Sequence, residues 1–464
     1  MNSFKPMLLT SLKSYDRAQF AKDVTAGIIV AIIALPLSIA LALASGVGPE
    51  AGIFTAIVAG FVISALGGSC VQIAGPTAAF ATIVAGIVAR NGLEGLMTAT
   101  ILAGVFLIIM GFCHFGSLIK FIPYTITTGF TSGIAVTIVI GQLKDFCGVT
   151  YPDGVKPIET MEKLKAFAEN FSTISPDALI VGGVSLAILI VSPLIFKKIP
   201  GSLIAVIAGI LMVQFLPLHV STIGNLYTIS NALPTLHLPV FDMKLIQSAI
   251  PNAFTIAVLA AIESLLSCVV ADGMINSKHR SDTELIAQGA GNIASALFGG
   301  IPATGAIART AANIKNGGRT PVAGMVHSIT LVIVLVVLMP FAGMIPMPTI
   351  AAILFLVAYN MCQWRTFMHL VRTAPKSDII VLFTTFVLTV VFDLVVAIEI
   401  GMVLACLLFI KRMSEETHAD SWVYVDDDSP AVDEHLQKLP LEIRVYEITG
   451  PLFFGAADAI EHIV

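Results

Sequence analysis

Residues 24 to 45, VTAGIIVAIIALPLSIALALAS, contain no charged side chain, and runs of this kind recur almost to the end of the chain. A helix needs about 20 apolar residues to cross a bilayer, and backbone outside a helix finds no water there to bond. A soluble core has no room for so many runs. Only 12% of the 464 residues are charged, where an ordinary soluble domain has about a quarter. The fold class is therefore an all-α polytopic membrane protein. The mild net charge of -5, with no basic stripe, excludes a nucleic-acid partner. Cysteines such as Cys70, Cys113, Cys147 and Cys268 lie in apolar runs without CxxC or metal-like spacing. They read as small core residues and imply no metal and no disulfide framework.

Segments of spanning character lie at 24 to 45, 51 to 66, 95 to 113, 123 to 143, 178 to 196, 202 to 218, 249 to 271, 322 to 343, 377 to 393 and 394 to 411. Weaker ones at 71 to 89, 285 to 298, 303 to 315 and 348 to 362 bring the expected total to fourteen. Threading them alternately puts sixteen Lys and Arg on one face and six on the other, so the rich face is cytoplasmic, with both termini, in the cell membrane. Residues 1–22 form a basic cytoplasmic approach without the long apolar stretch of a cleavable signal. The transmembrane domain is 23–412, and the loops at 148 to 177 and 219 to 247 read as outer connectors. Residues 413–439 form an acidic linker. Residues 440–464 alternate apolar and polar as the start of an α/β domain, with too little chain to close a core, which reads as a truncated end.

Two segments are interrupted: QIAGPTAAF around Pro76 and FGGIPATGAIART around Pro302. Pro36 precedes Thr77 by 41 residues, and Glu263 precedes Thr304 by 41. The matched offset predicts an inverted repeat, about 23–218 and 249–412, each copy with seven spans and therefore of opposite orientation. The two broken helices would then face each other at the midplane. A half-helix starting there offers unpaired N–H groups and a positive dipole end, an arrangement that holds anions. Gly75 and Gly305 permit close approach, and Arg309 adds positive potential one turn into the second half-helix. The same small residues also serve plain helix packing.

Glu263 is the other costly midplane group, with Ser267 one turn away. Protonation of Glu263 could couple a proton to the anion; the alternative is a structural pair between Glu263 and Arg309. Asp272 reads as a solvated helix end, Asp393 and Glu399 as structural residues near a turn, and His327 as a hydrogen-bonded packing residue. No HExxH, GxSxG or P-loop pattern is present, so no catalytic residue and no cofactor are expected, and the chain is not read as an enzyme.

The stretches AIIALPLSIALALASGVGPEAGIFTAIVAG, QIAGPTAAF, IPYTITTGFTSGIAVTIVIGQL and GGIPATGAIARTAANIKNGGRTPVAG resemble the sulfate permease (SulP) family, with likeness to its cyanobacterial bicarbonate branch. The resemblance implies fourteen spans as a 7+7 inverted repeat with core and gate domains, a homodimer, and a cytoplasmic STAS domain beginning near IRVYEITGPLFFGAADAI. It implies an anion site at Thr77, Ala78, Gly305, Ala306, Ile307 and Ala308, with Arg309 supplying charge and Leu37 and Leu41 lining the pocket. Sodium in the bicarbonate branch would be held at positions that read here Glu263, Ser267, Gly305 and Ile307. Glu in place of Asp and the missing hydroxyl at Ile307 favour a proton over sodium. The expectation is a secondary active oxyanion transporter, sulfate first and bicarbonate next, working by alternating access. A sodium-coupled bicarbonate or dicarboxylate transporter, and an anion channel of the same fold, are the alternatives.

Overall fold

The computed structural model describes residues 4–117, 123–152, 157–196, 199–239, 242–392, 394–415, 418–423 and 444–449. After α1 (Met7–Ser11), the long helices begin with α2 (Arg17–Ala44), α3 (Pro49–Leu66) and α4 (Ala78–Phe112). They continue with α5 (Tyr124–Cys147), the short α6 (Thr160–Glu169), α7 (Pro176–Ile195), α8 (Gly201–Phe215) and α9 (Ile223–Leu226). The second half holds α10 (Met243–Ile275), α11 (Ser281–Leu297), α12 (Ile307–Lys315), α13 (Val322–Ala342) and α14 (Met347–Cys362). It closes with α15 (Trp364–Thr373), α16 (Lys376–Val391) and α17 (Leu394–Glu415). Among the described residues, eight helices are long and apolar enough to cross a membrane.

Local chemistry sets the boundaries. Asp16 caps α2 by accepting from Gln19 N at 2.7 Å, Ser175 caps α7, and Asp242 caps α10, each satisfying a first-turn donor. Pro49 and Pro176 stand at first-turn positions where no N–H is missed. Inside α4, Gly92 takes φ 68° and ψ -169°, a conformation that breaks the helix into two arms.

Four strands are present among the described residues. β1 (Ala74–Gly75) pairs antiparallel with β2 (Thr304–Gly305), Ala74 opposite Gly305 and Gly75 opposite Thr304. β3 (His418–Val423) pairs with β4 (Arg444–Thr449), so part of the stretch expected as linker is extended and bonded. The rest of the 413–439 and 440–464 segments lies outside the described residues. One expectation needs correcting in the outer loops: the 148 to 177 connector contains α6, where Glu162 Oε2 accepts from Ile158 N at 3.1 Å and Glu159 N at 3.3 Å. Those two N–H groups hold the Glu162 carboxyl below its ordinary range.

The helices sort into two packing groups. α2, α3, α4, α10, α11 and α13 pack together with α12 against α2 and α10, while α5, α7, α8, α14, α16 and α17 form the other set. Lipid is as apolar as leucine, so close helix contact must come from shape, and small residues supply it. Between α4 and α11 the approach is reciprocal: a Cβ on Gly104 would sit 2.6 Å from the Gly289 carbonyl oxygen, and one on Gly289 2.5 Å from that of Gly104.

Gly104→Ala is therefore expected to cost about 1–3 kcal/mol through overpacking, read as a lower apparent melting temperature of the detergent-purified protein. Gly183→Ala, where an added Cβ meets nothing within 4 Å, is the control and leaves the melting temperature unchanged or slightly higher.

Candidate functional site

The β1–β2 pairing brings the two chain breaks together. Thr77 stands at the N-cap of α4 and Ala306 at that of α12, each just beyond its strand, so both half-helix N-termini open from one two-residue ribbon. Their unwound backbone is satisfied mostly from the opposite break or a neighbouring helix. Ala306 N donates to Ile73 O at 2.9 Å, Thr310 Oγ1 accepts from Ile73 N at 3.1 Å, and Asn313 Nδ2 donates to Val71 O at 2.9 Å. On the other side Asn292 bonds both the N–H and the carbonyl of Ala303 at 2.8 Å, and Thr55 Oγ1 accepts from Ile301 N at 2.7 Å.

Arg309 is the largest fully buried side chain, 1% exposed. Its Nη2 donates to Pro76 O at 3.2 Å and to Ser38 Oγ at 3.3 Å, while Nε and Nη1 have no partner among the described residues. A Cβ on Gly75 would lie 2.3 Å from Nη1, so glycine is required for the guanidinium to reach the break. Gly305 plays the same part for Gln72, whose Nε2 would be 2.1 Å from an added Cβ. Glu263, on α10, accepts from Thr77 Oγ1 at 3.0 Å.

The residues expected to bind fall into three sets. Thr77, Glu263, Leu37 and Ala306 are partly exposed, and Ile307 and Ala308 are exposed on the first turn of α12. Ala78, Gly305 and Leu41 are buried, Leu41 within the main apolar cluster. Ser267 is turned away from the opening: its hydroxyl donates to Thr310 Oγ1 at 3.3 Å. The structural pair considered for Glu263 and Arg309 does not form, because each has found a different partner, Thr77 for the one and Ser38 and Pro76 for the other.

Other expectations change as well. His327 is fully buried, but neither ring nitrogen is hydrogen-bonded among the described residues, contrary to a bonded packing role. Asp272 is no loose end: it accepts from Ser277 Oγ at 2.7 Å and from His279 N at 2.8 Å, closing the end of α10. Glu399 lies inside α17 and is exposed, and Asp393 lies outside the described residues. All six cysteines are free thiols.

Sequence reasoning missed Ser38, Gln72, Thr310 and two buried carboxylates. Glu284 of α11 accepts from Gly68 N and Gln72 Nε2 at 2.9 Å, Ser69 N at 3.2 Å and Gln288 Nε2 at 2.9 Å, so it ties down the segment entering the first break. Asp23 of α2 does the same for the segment leaving the second, accepting from Thr320 Oγ1 at 2.6 Å, Arg319 N at 2.8 Å and Tyr15 OH at 3.0 Å. Burial pushes the Tyr15 phenol up to about 12, so it remains the donor. The available signal was weak, because each acid stands in the polar approach to its helix, Asp23 directly after Lys22 and Glu284 two residues after Asp282.

Comparison with known proteins decides the family. The description "Sulfate permease family" matches residues 20–385, most of the membrane part. This chain belongs to the sulfate permease family. Among its relatives is YvdB of Bacillus subtilis (strain 168), named as a candidate sulfate transporter, 40% identical over 458 residues that cover 97% of this chain and 83% of that protein. The bicarbonate transporter BicA of Picosynechococcus sp. is 34% identical, over 94% of this chain and 79% of its own. The solved transmembrane domain of a cyanobacterial bicarbonate transporter BicA superimposes with a TM-score of 0.74 at 30% identity, covering 83% of this chain and 98% of that one. These relatives of the sulfate permease chain carry transporter names rather than enzyme names.

Replacing Glu284 in this family member by alanine strands two backbone N–H groups and two amides, at about 1–3 kcal/mol for an unsatisfied buried group. The expected result is a lower melting temperature and faster proteinase K cleavage near residue 68; Glu284→Gln, which keeps one oxygen, should lie between.

Proposed function

We propose that the protein moves a small inorganic oxyanion, sulfate first and bicarbonate close behind, across the cell membrane together with a proton. The observation that carries this reading is the Arg309 guanidinium, buried beside two helix N-termini with Nε and Nη1 unpartnered among the described residues. A buried cation without a counter-charge is costly, and an anion at the helix tips would supply the missing acceptors. Few side-chain hydroxyls face the opening, so backbone N–H groups of α4 and α12 would hold the anion, with Thr77 the main hydroxyl donor.

Glu263 supplies the coupling in this reading. While Glu263 is ionised, the Thr77 hydroxyl donates to it at 3.0 Å and is unavailable to an anion. A protonated Glu263 can instead donate to Thr77 Oγ1, which frees the Thr77 hydrogen for the substrate. Proton and anion then bind together, as symport requires. Ser267, engaged by Thr310, is poorly placed to ligate sodium.

Several features support the wider architecture. With α4 counted as two helices at Gly92, α2 to α8 (without α6) supply seven spans and α10 to α17 (without α15) seven more. The antiparallel register of β1 and β2 is what two inverted copies would produce. The two packing groups are natural candidates for a core that shifts against a gate, exposing the site on alternate sides. Cytoplasmic termini, a homodimer and a STAS domain beginning near β4 complete the reading by family likeness.

The test is uptake of labelled sulfate, bicarbonate and succinate by purified protein in liposomes, under separately imposed proton and sodium gradients. Saturable, proton-driven sulfate accumulation is expected; non-saturable flux would mark a channel. Arg309→Gln should lower uptake by about tenfold or more, the loss of a hydrogen bond to a charged group. Glu263→Gln should abolish proton-driven accumulation while anion exchange persists, and intact proton drive in that variant would remove Glu263 from the coupling.

A further inference from the structure

A polar cavity of about 70 Å³ lies at the far end of the first half-helix. Thr82, Gly86 and Arg90 recur along one side of α4, so the cavity follows that helix away from the break at Thr77. Thr137 of α5 and Thr389 of α16 face it from the other packing group, and Glu159 and Lys163 at the start of α6 and Asn252 of α10 also line it. The cavity therefore sits in the seam between the two helix groups.

Its donors are unevenly engaged. The Thr137 hydroxyl donates to Ile134 O at 2.8 Å and that of Thr389 to Thr385 O at 2.7 Å, so both hydrogens serve their own helices. The side chains of Thr82 and Lys163 have no hydrogen-bond or ion-pair partner among the described residues. Lys163 stands one helical turn after Glu159, yet the Glu159 carboxylate pairs across the seam with Arg90, Oε1 to Nη2 at 3.6 Å. Burial lowers the Lys163 ammonium from its ordinary value, the direction for a cation that has left water without gaining a counter-ion. Two cations thus face one carboxylate in a niche that has spare donors.

We infer that this niche is a waiting site for the transported oxyanion, held by Arg90 and Lys163, with Glu159 as a tethered competitor that occupies Arg90 until an anion displaces it. The inference rests on the oxyanion reading above and adds a second stop to it, on the face of the protein where α6 lies. An inorganic anion with several equivalent oxygens suits it, since one oxygen can meet the guanidinium while another meets the ammonium.

Initial rates of labelled sulfate and bicarbonate uptake are measured against concentration from each face, in intact cells and in inverted vesicles. Arg90→Gln and Lys163→Gln should raise the half-saturating concentration by several-fold to about tenfold from one face only, and added inert salt should shrink the difference. Glu159→Gln removes the competitor but keeps a side-chain oxygen at the start of α6, and it should lower the half-saturating concentration from that same face. A pair that merely clasps α6 to α4 would shift Arg90→Gln and Glu159→Gln in the same direction, and that result, or no shift in any variant, overturns the inference. Wild-type protein that moves neither anion overturns the transport reading itself, a distinct outcome.

Discussion

Two residues of β-ladder in the middle of a helical membrane protein govern the rest of the architecture. Backbone that leaves a helix at that depth loses its partners in a medium that offers none, and each orphan would cost several kcal/mol. The breaks at residues 74–75 and 304–305 meet this demand mainly by satisfying each other, through the ladder itself and through Thr310 and Asn313 reaching back to Ile73 and Val71. Each interruption is tolerable because the other exists. The exposed helix tips and the buried guanidinium follow from that mutual dependence, since both breaks must occupy one place.

The breaks are anchored at their outer ends by carboxylates. Glu284 holds the approach to the first and Asp23 the departure from the second, and each accepts from several N–H or O–H donors. Glycine works at the inner ends, where Gly75 and Gly305 leave space for Arg309 and Gln72. The site is thus braced at its margins while its centre keeps unspent donors. Rigid surroundings around an incompletely satisfied centre are what a binding site needs.

Much of this was legible from residue order, for identifiable reasons. Apolar runs located the helices because lipid imposes length, and the expected segment edges lie within a few residues of most observed ends, such as 322 to 343 against Val322–Ala342. Pro76, Pro302 and the equal offsets of Pro36 to Thr77 and Glu263 to Thr304 located the breaks. What residue order withheld depends on approach between distant stretches. Ser38 meets Arg309 across 271 positions, and Gln72 meets Glu284 across 212. No periodicity in either neighbourhood announces the other. The partner of Glu263 was hidden for the same reason: residue order offered Arg309, and geometry places Thr77 at 3.0 Å instead. The α6 helix was overlooked because ten polar-faced residues in a loop give a weak helical signal beside the spans.

The shortness of α12 bears on how the protein is made. Nine residues extend about 14 Å at 1.5 Å per residue, under half of a hydrocarbon layer about 30 Å thick. With Arg309 in its first turn, this segment has little drive to leave the translocon for lipid unaided. The groups that receive it, Val71, Ile73, Pro76 and Ser38, were synthesised more than 230 positions earlier. Biogenesis is therefore ordered: the amino-terminal half must already stand assembled beside the ribosome's exit route, serving as an internal chaperone for the piece of the carboxy-terminal half that the bilayer alone would refuse.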